Sequence, residues 1–127
     1  MMAVDTSALM ALLLNEAAAD LIVDALETAD TILISAATVA EAMIVAERRG
    51  LDQEMRTLID GLGMEVAPVN AAAAHAAAQA YKRWGKGRHP AALNFVDCFA
   101  YALASDRRVP LLFTGDDFAH TDLDSVI

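Results

Sequence analysis

The sequence predicts an α/β fold, with a central, mostly parallel sheet covered by helices on both faces. Three observations carry this. Short β-like runs alternate with longer helical ones along all 127 residues, the order that builds strand–helix–strand units. The run Thr31-Ile-Leu-Ile-Ser35 is continuously apolar at its centre, as in strands buried on both sides. Alanine and leucine carry most of the 57% hydrophobic content, while aromatics make up only 6%, a balance that favours closely packed helices.

The elements follow in order. Met2-Ala-Val-Asp-Thr6 reads as the first strand and Ser7 as the N-cap of the helix after it. Asn15 to Ala29 is helical, with Leu21, Ile22, Ala25 and Leu26 on one face. Thr31 to Ser35 is the second strand. Ala37 to Arg49 is a helix stopped by Gly50. Asp52 caps a helix reaching Leu62, and Met64 to Val69 is a third strand that Pro68 places at an edge. Asn70 caps an alanine-rich helix ending near Trp84, followed by the loop Gly85-Lys-Gly-Arg-His-Pro90. Asn94 to Asp106 is the last helix, Val109 to Thr114 the fourth strand, and Ser125 to Ile127 a short final one. With no linker, repeat or low-complexity tract, residues 1–127 read as one domain.

Composition excludes several classes. The apolar start, Met1 to Leu14, is interrupted by Asp5 and lacks preceding basic residues, so it reads neither as a membrane span nor as a signal peptide. The one cysteine, Cys98, excludes an internal disulfide, and the expected compartment is the cytoplasm. A net charge of −9 argues against a nucleic-acid coat protein, because phosphate attraction needs positive potential. It does not exclude an enzyme that reaches phosphate through a metal. Four of the nine Lys and Arg residues, Lys82, Arg83, Lys86 and Arg88, crowd one short segment. They read either as a solvated helix terminus or as contacts to a phosphate backbone.

The acids hold the chemistry. Asp5 lies at the C-terminal end of the first strand, the edge where open parallel sheets bind ligands. Glu41 lies in Ala36-Ala-Thr-Val-Ala-Glu-Ala-Met-Ile-Val-Ala46, with apolar residues at every helical spacing. A carboxylate buried there needs a cation or a hydrogen-bond donor. Asp97 sits among Phe95, Phe99 and Tyr101, in the first turn of its helix, with Asn94 able both to cap that helix and to reach the same pocket. Asp116 and Asp117 follow the fourth strand. Carboxylates converging on one sheet edge repel one another unless a multivalent cation neutralises them. The ligands are all oxygens, and His75, His89 and His120 are scattered without ligand spacing, so Mg²⁺ or Mn²⁺ is implied rather than Zn²⁺.

These residues resemble the PIN domain, and within it the VapC-like toxins. The resemblance rests on Val4-Asp-Thr-Ser-Ala-Leu9, a Glu in the helix after strand two, Leu93-Asn-Phe-Val-Asp-Cys-Phe-Ala-Tyr-Ala-Leu-Ala104, and Thr114-Gly-Asp-Asp-Phe118. The segment Gly85 to Asn94 and the tail Asp117-Phe-Ala-His-Thr-Asp122 look like the same subfamily. The family is a three-layer α/β/α sandwich of Mg²⁺-dependent endoribonucleases, and its toxins attack tRNA or rRNA. The resemblance implies that Asp5 and Asp97 hold the ion and that Glu41 and Asp116 complete the site, with Asp117 the alternative fourth acid. Thr114 matches a position that often holds a hydroxyl, and Asn94 and Ser7 support the site. It also implies a homodimer, a VapB-like antitoxin, and products with 5′-phosphate and 3′-hydroxyl ends. Val96 departs from the pattern, standing where many relatives carry glycine. The rival reading is a catalytically silent PIN scaffold that binds RNA or protein. Receiver and haloacid-dehalogenase readings fail, because Val69-Asn70 follows strand three and Asp5-Thr-Ser7 replaces Asp-x-Asp.

Overall fold

A computed structural model describes all residues from Met1 to Ile127. The elements run β1 (Met2–Val4), α1 (Thr6–Leu13), α2 (Ala19–Thr28), β2 (Ile32–Ser35), α3 (Ala36–Glu47), α4 (Asp52–Leu62), β3 (Glu65–Ala67), α5 (Ala71–Trp84), α6 (Asp97–Arg107) and β4 (Leu111–Leu112). The strands form one sheet in the order β3-β2-β1-β4. Every pairing is parallel, with Ala3 opposite Leu33 and Val4 opposite Leu112.

That order explains the layers. The chain steps from β1 to β2 to β3 in one direction, so right-handed crossovers lay α1 to α4 on one face. It then crosses back past β1 to β4, which sends α5 and α6 to the other. Alternate residues of the short strands feed two cores. Val4, Ile32, Ile34 and Leu112 pack with Leu9, Ile22, Leu26 and Met55. Ala3, Leu33 and Leu111 pack with Trp84, Cys98, Phe99 and Tyr101. The reversal of strand order falls between β1 and β4, where an open parallel sheet leaves a crevice at its C-terminal edge.

The α/β/α architecture and the edge position of β3, just before Pro68, match expectation. Several boundaries differ. Ser7 is not the cap of α1; Asp5 is, because the strand ends one residue before it and its carboxylate accepts the Ser7 N–H. The second helix begins at Ala19 rather than Asn15, since Asn15 takes a left-handed conformation (φ 49°) that ends the preceding turn. Leu21 points outward on it and is exposed, while Ile22 and Leu26 are buried. Asp52 is the first helical residue of α4, and Leu51 stands at its N-cap. Helix α6 starts at Asp97, three residues later than expected, with Val96 at its N-cap and Asn94 ahead of it accepting the Asp97 N–H. The C-terminal tail forms one parallel bridge, Leu111 to Ser125, rather than a strand.

Candidate metal centre

Two strand ends and three helices build the site. β1 runs directly into α1 through Asp5, whose Oδ2 accepts the Ser7 N–H at 3.0 Å. β2 runs directly into α3 through Ser35, which caps that helix by accepting the Ala37 N–H at 3.2 Å. This tight junction holds Glu41, one and a half turns into α3, beside α1, where the Thr6 hydroxyl donates to Glu41 Oε1 at 2.5 Å. Asp97 and Asn94 cap each other. The Asp97 N–H donates to Asn94 Oδ1 at 2.9 Å, and the Asn94 N–H donates to Asp97 Oδ2 at 3.0 Å, a reciprocal capping box.

Asp5, Glu41 and Asp97 thereby converge, each offering one oxygen, with those oxygens within 4.8 Å of one another. Their hydrogen-bond donors are neutral hydroxyl and amide groups. No Lys or Arg pairs with any of them, since the ion pairs of the chain lie elsewhere: Met1–Asp30, Arg56–Asp60, Arg83–Asp122 and Arg107–Glu65. The electrostatic consequence is a reluctance to ionise. Burial pushes Asp97 up from 3.8 to about 7, opposed by the Asn94 N–H and reinforced by the charges of Asp5, Glu41 and Asp117. Burial also raises Asp5, against hydrogen bonds from Ser7 and Thr6. It raises Glu41 too, against the Thr6 hydroxyl and with the Asp5 charge adding. Three carboxylates crowded without a counter-charge are a poor salt-bridge network and a good cation site. Their oxygen-only donor set fits a hard divalent cation.

The chain as a whole is similar to known proteins. A PIN domain profile matches residues 2–123. Ribonuclease VapC42 of Mycobacterium tuberculosis is 42% identical over 126 residues, covering 96% of both chains. Ribonuclease VapC28 of the same organism is 44% identical over 124 residues, covering 94% of this chain and 93% of that one. The chain belongs to the PIN-domain family, among its VapC ribonucleases. The crystal structure of M. tuberculosis VapC20, described as a sarcin-ricin loop cleaving toxin, superposes with a TM-score of 0.80 at 18% identity. It covers 99% of this chain and 98% of that one. A toxin–antitoxin complex from Klebsiella pneumoniae gives a TM-score of 0.73 at 19% identity, over 96% and 93% of the two chains. At those identities the two structures speak for the fold.

Around the three acids this PIN domain arranges the other candidates unequally. Ser7 and Thr114 clamp the end of β4 to the start of α1, since the Thr114 N–H donates to Ser7 Oγ at 3.1 Å. The turn after Thr114 puts Gly115 at φ 86°, a backbone that glycine adopts without strain. Asp116 and Asp117 follow it and are both exposed. The converging set does not include Asp116; the charge from this turn that Asp5 and Asp97 feel is that of Asp117. Thr6 is a site residue that sequence reasoning passed over. Its partner lies 35 positions away, and only the packing of α1 on α3 joins them.

The basic segment divides as well. Arg83 lies over the Trp84 ring at 4.4 Å and pairs with Asp122, which also accepts the Tyr101 hydroxyl at 2.6 Å. It ties α5 to the tail. Trp84 is buried in the α5–α6 core. Lys82 and Arg88 are exposed, and Lys86 lines a cleft beside Asn94.

Proposed function

We propose that this PIN domain is the toxin of a VapBC-type toxin–antitoxin pair and a divalent-metal-dependent endoribonuclease, with Mg²⁺ or Mn²⁺ as the ion. The observation that carries the reading is the convergence of Asp5, Glu41 and Asp97 with no cationic side chain among them. Relatives above 40% identity bear the name ribonuclease over nearly their whole length. Neighbours of the same fold include toxin–antitoxin complexes.

Asp5 and Asp97 hold the ion, each fixed by its own helix cap and so unable to swing away. Glu41 completes the set, with one oxygen occupied by Thr6. The fourth acid comes from the Asp116–Asp117 turn, and Asp117 is the one whose charge reaches the cluster. When bound, the ion supplies positive charge and Lewis acidity at the scissile phosphate of tRNA or rRNA. The expected ends are a 5′-phosphate and a 3′-hydroxyl. A VapB-like antitoxin neutralises the acidic cluster with a basic side chain. A buried free thiol at Cys98 suits a reducing compartment, and we place the protein in the cytoplasm. No helix is long and apolar enough to cross a membrane.

The test is cleavage of mixed cellular RNA with the ends mapped, in Mg²⁺ and in EDTA, by the parent and by Asp97→Asn. Metal-dependent cuts by the parent alone support the reading. Equal cutting by both proteins sinks the assignment of Asp97. In cells, the parent slows growth and Asp5→Ala does not; equal growth speaks against toxin function.

A further inference from the structure

Beside the acidic cluster lies a cleft of about 630 Å³ between α5 and the start of α6, within the range of small-molecule sites. Its floor is made of small and flat groups, among them Ala77, Cys98 and Phe99, all buried. Its rims are aromatic. Phe95 is 71% exposed, an unusual position for a phenylalanine. Its ring stands edge-on to Phe99 with centroids 5.2 Å apart. Tyr81 forms the opposite rim, held by its hydroxyl donating to the Lys86 carbonyl at 3.2 Å. Lys86 is the one cation lining the cleft, in a chain of net charge −9. Asn94 lines it too, and the Asn94 N–H is bonded to Asp97 Oδ2. The cleft and the metal centre are therefore one hydrogen bond apart.

We infer that this cleft is a nucleobase subsite outside the acidic cluster: an unpaired base of the RNA stacks on Phe95 and its adjoining phosphate meets Lys86. The inference rests on the endoribonuclease reading and adds to it a binding site beside the acidic cluster. The physical grounds are threefold. An exposed aromatic beside a lysine is how single-stranded nucleic acid is bound without base-edge readout. A base within a duplex has no face to offer Phe95, whereas loops and ends do. On a strongly acidic surface, a lone cation beside the site is where a phosphate finds attraction. The shared Asn94 then sets the stacked nucleotide next to the bond that is cut.

The experiment uses the full chain and a short single-stranded RNA carrying 2-aminopurine, whose fluorescence falls on stacking, with Ca²⁺ replacing Mg²⁺ to keep the RNA whole. The parent should quench the probe and bind it more tightly than the same sequence in a duplex. Phe95→Ala should lose the quenching and weaken binding by about 5- to 150-fold, the range that one base–aromatic stack supports. Phe95→Trp should restore both. Ala78→Leu, an exposed α5 position that lines the cleft, should block it with the fold intact. Unchanged affinity and quenching in Phe95→Ala and Ala78→Leu would overturn the proposal. So would a loss of self-association in light scattering with RNA affinity unchanged, which would make the cleft a contact between copies. Quenching without any cleavage in Mg²⁺ would sink the nuclease reading while supporting the subsite.

Discussion

The charge on each acid decides what a substitution does. Asp97 is buried beside two other carboxylates, and in the absence of metal its ionised form is unwelcome. Asp97→Asn keeps the shape and keeps an acceptor for the Asn94 N–H while removing the charge. It should abolish cleavage and raise the melting temperature measured in EDTA; a lower melting temperature would show that the carboxylate is held by something other than a metal. The two acids of the 114–118 turn should separate in the same assay. Asp117→Asn should lower the cleavage rate by roughly 10- to 100-fold, the loss usual for groups that tune a metal site from outside its ligands. Asp116→Asn should stay within about threefold of the parent on the same grounds. The reverse order would assign the fourth acid to Asp116.

Between residues and the fold stand the caps and loops. Asn94 and Asp97 bond each other at the start of α6, so Asn94→Ala removes an acceptor for the Asp97 N–H and loosens the proposed metal ligand together. Urea unfolding should show a loss of about 0.5–2 kcal/mol, and isothermal titration should show weaker Mg²⁺ binding. A stability loss with unaltered metal affinity would reduce Asn94 to a helix cap. The turn between α5 and the cleft depends on Gly85, where an added Cβ would lie 2.4 Å from the Tyr81 carbonyl oxygen and under 3 Å from its ring. Gly85→Ala should therefore cost about 1–3 kcal/mol by overpacking, seen as a lower denaturant midpoint. Alanine-like stability there would show that Tyr81 yields freely.

At the scale of the molecule, the acidic cluster links stability to pH and to metal. Asp5, Glu41 and Asp97 all have raised pKa values when folded. The folded protein thus holds protons that the unfolded chain releases. The contribution of Asp97 to stability is full below its unfolded value of 3.8, falls as pH rises, and is gone above its folded value of about 7, while Asp5 and Glu41 act in the same direction. In EDTA, the melting temperature should decline from pH 5 to pH 8, more steeply for the parent than for Asp97→Asn. Saturating Mg²⁺ should flatten or reverse that slope, since the ion binds the ionised carboxylates. Identical slopes in EDTA and Mg²⁺ would mean that the cluster takes up no metal.

The local chemistry of the sequence determined a good deal by itself. Apolar runs such as Ile32 to Ile34, alternating with alanine-rich helices, pointed to a parallel sheet covered on both faces, because a continuously apolar strand needs both of its faces buried. Asp97 stood out because a carboxylate among phenylalanines must be compensated, and Asn70 declared a helix start that the structure keeps. Tertiary structure decided the rest. Asp5, Glu41 and Asp97 are 36 and 56 positions apart in turn, and only the β3-β2-β1-β4 order brings them to one edge. Thr6 found Glu41, and Ser7 lost its capping role to Asp5, through the packing of α1 and the exact end of β1. The basic segment looked uniform in one dimension, yet packing sent Arg83 to Asp122 and Trp84 and left Lys86 beside Phe95. Periodicity and propensity act over a few residues and are written along the chain. Which side chains meet across the sheet edge depends on strand order and helix crossing, and those are settled by the burial of both cores at once.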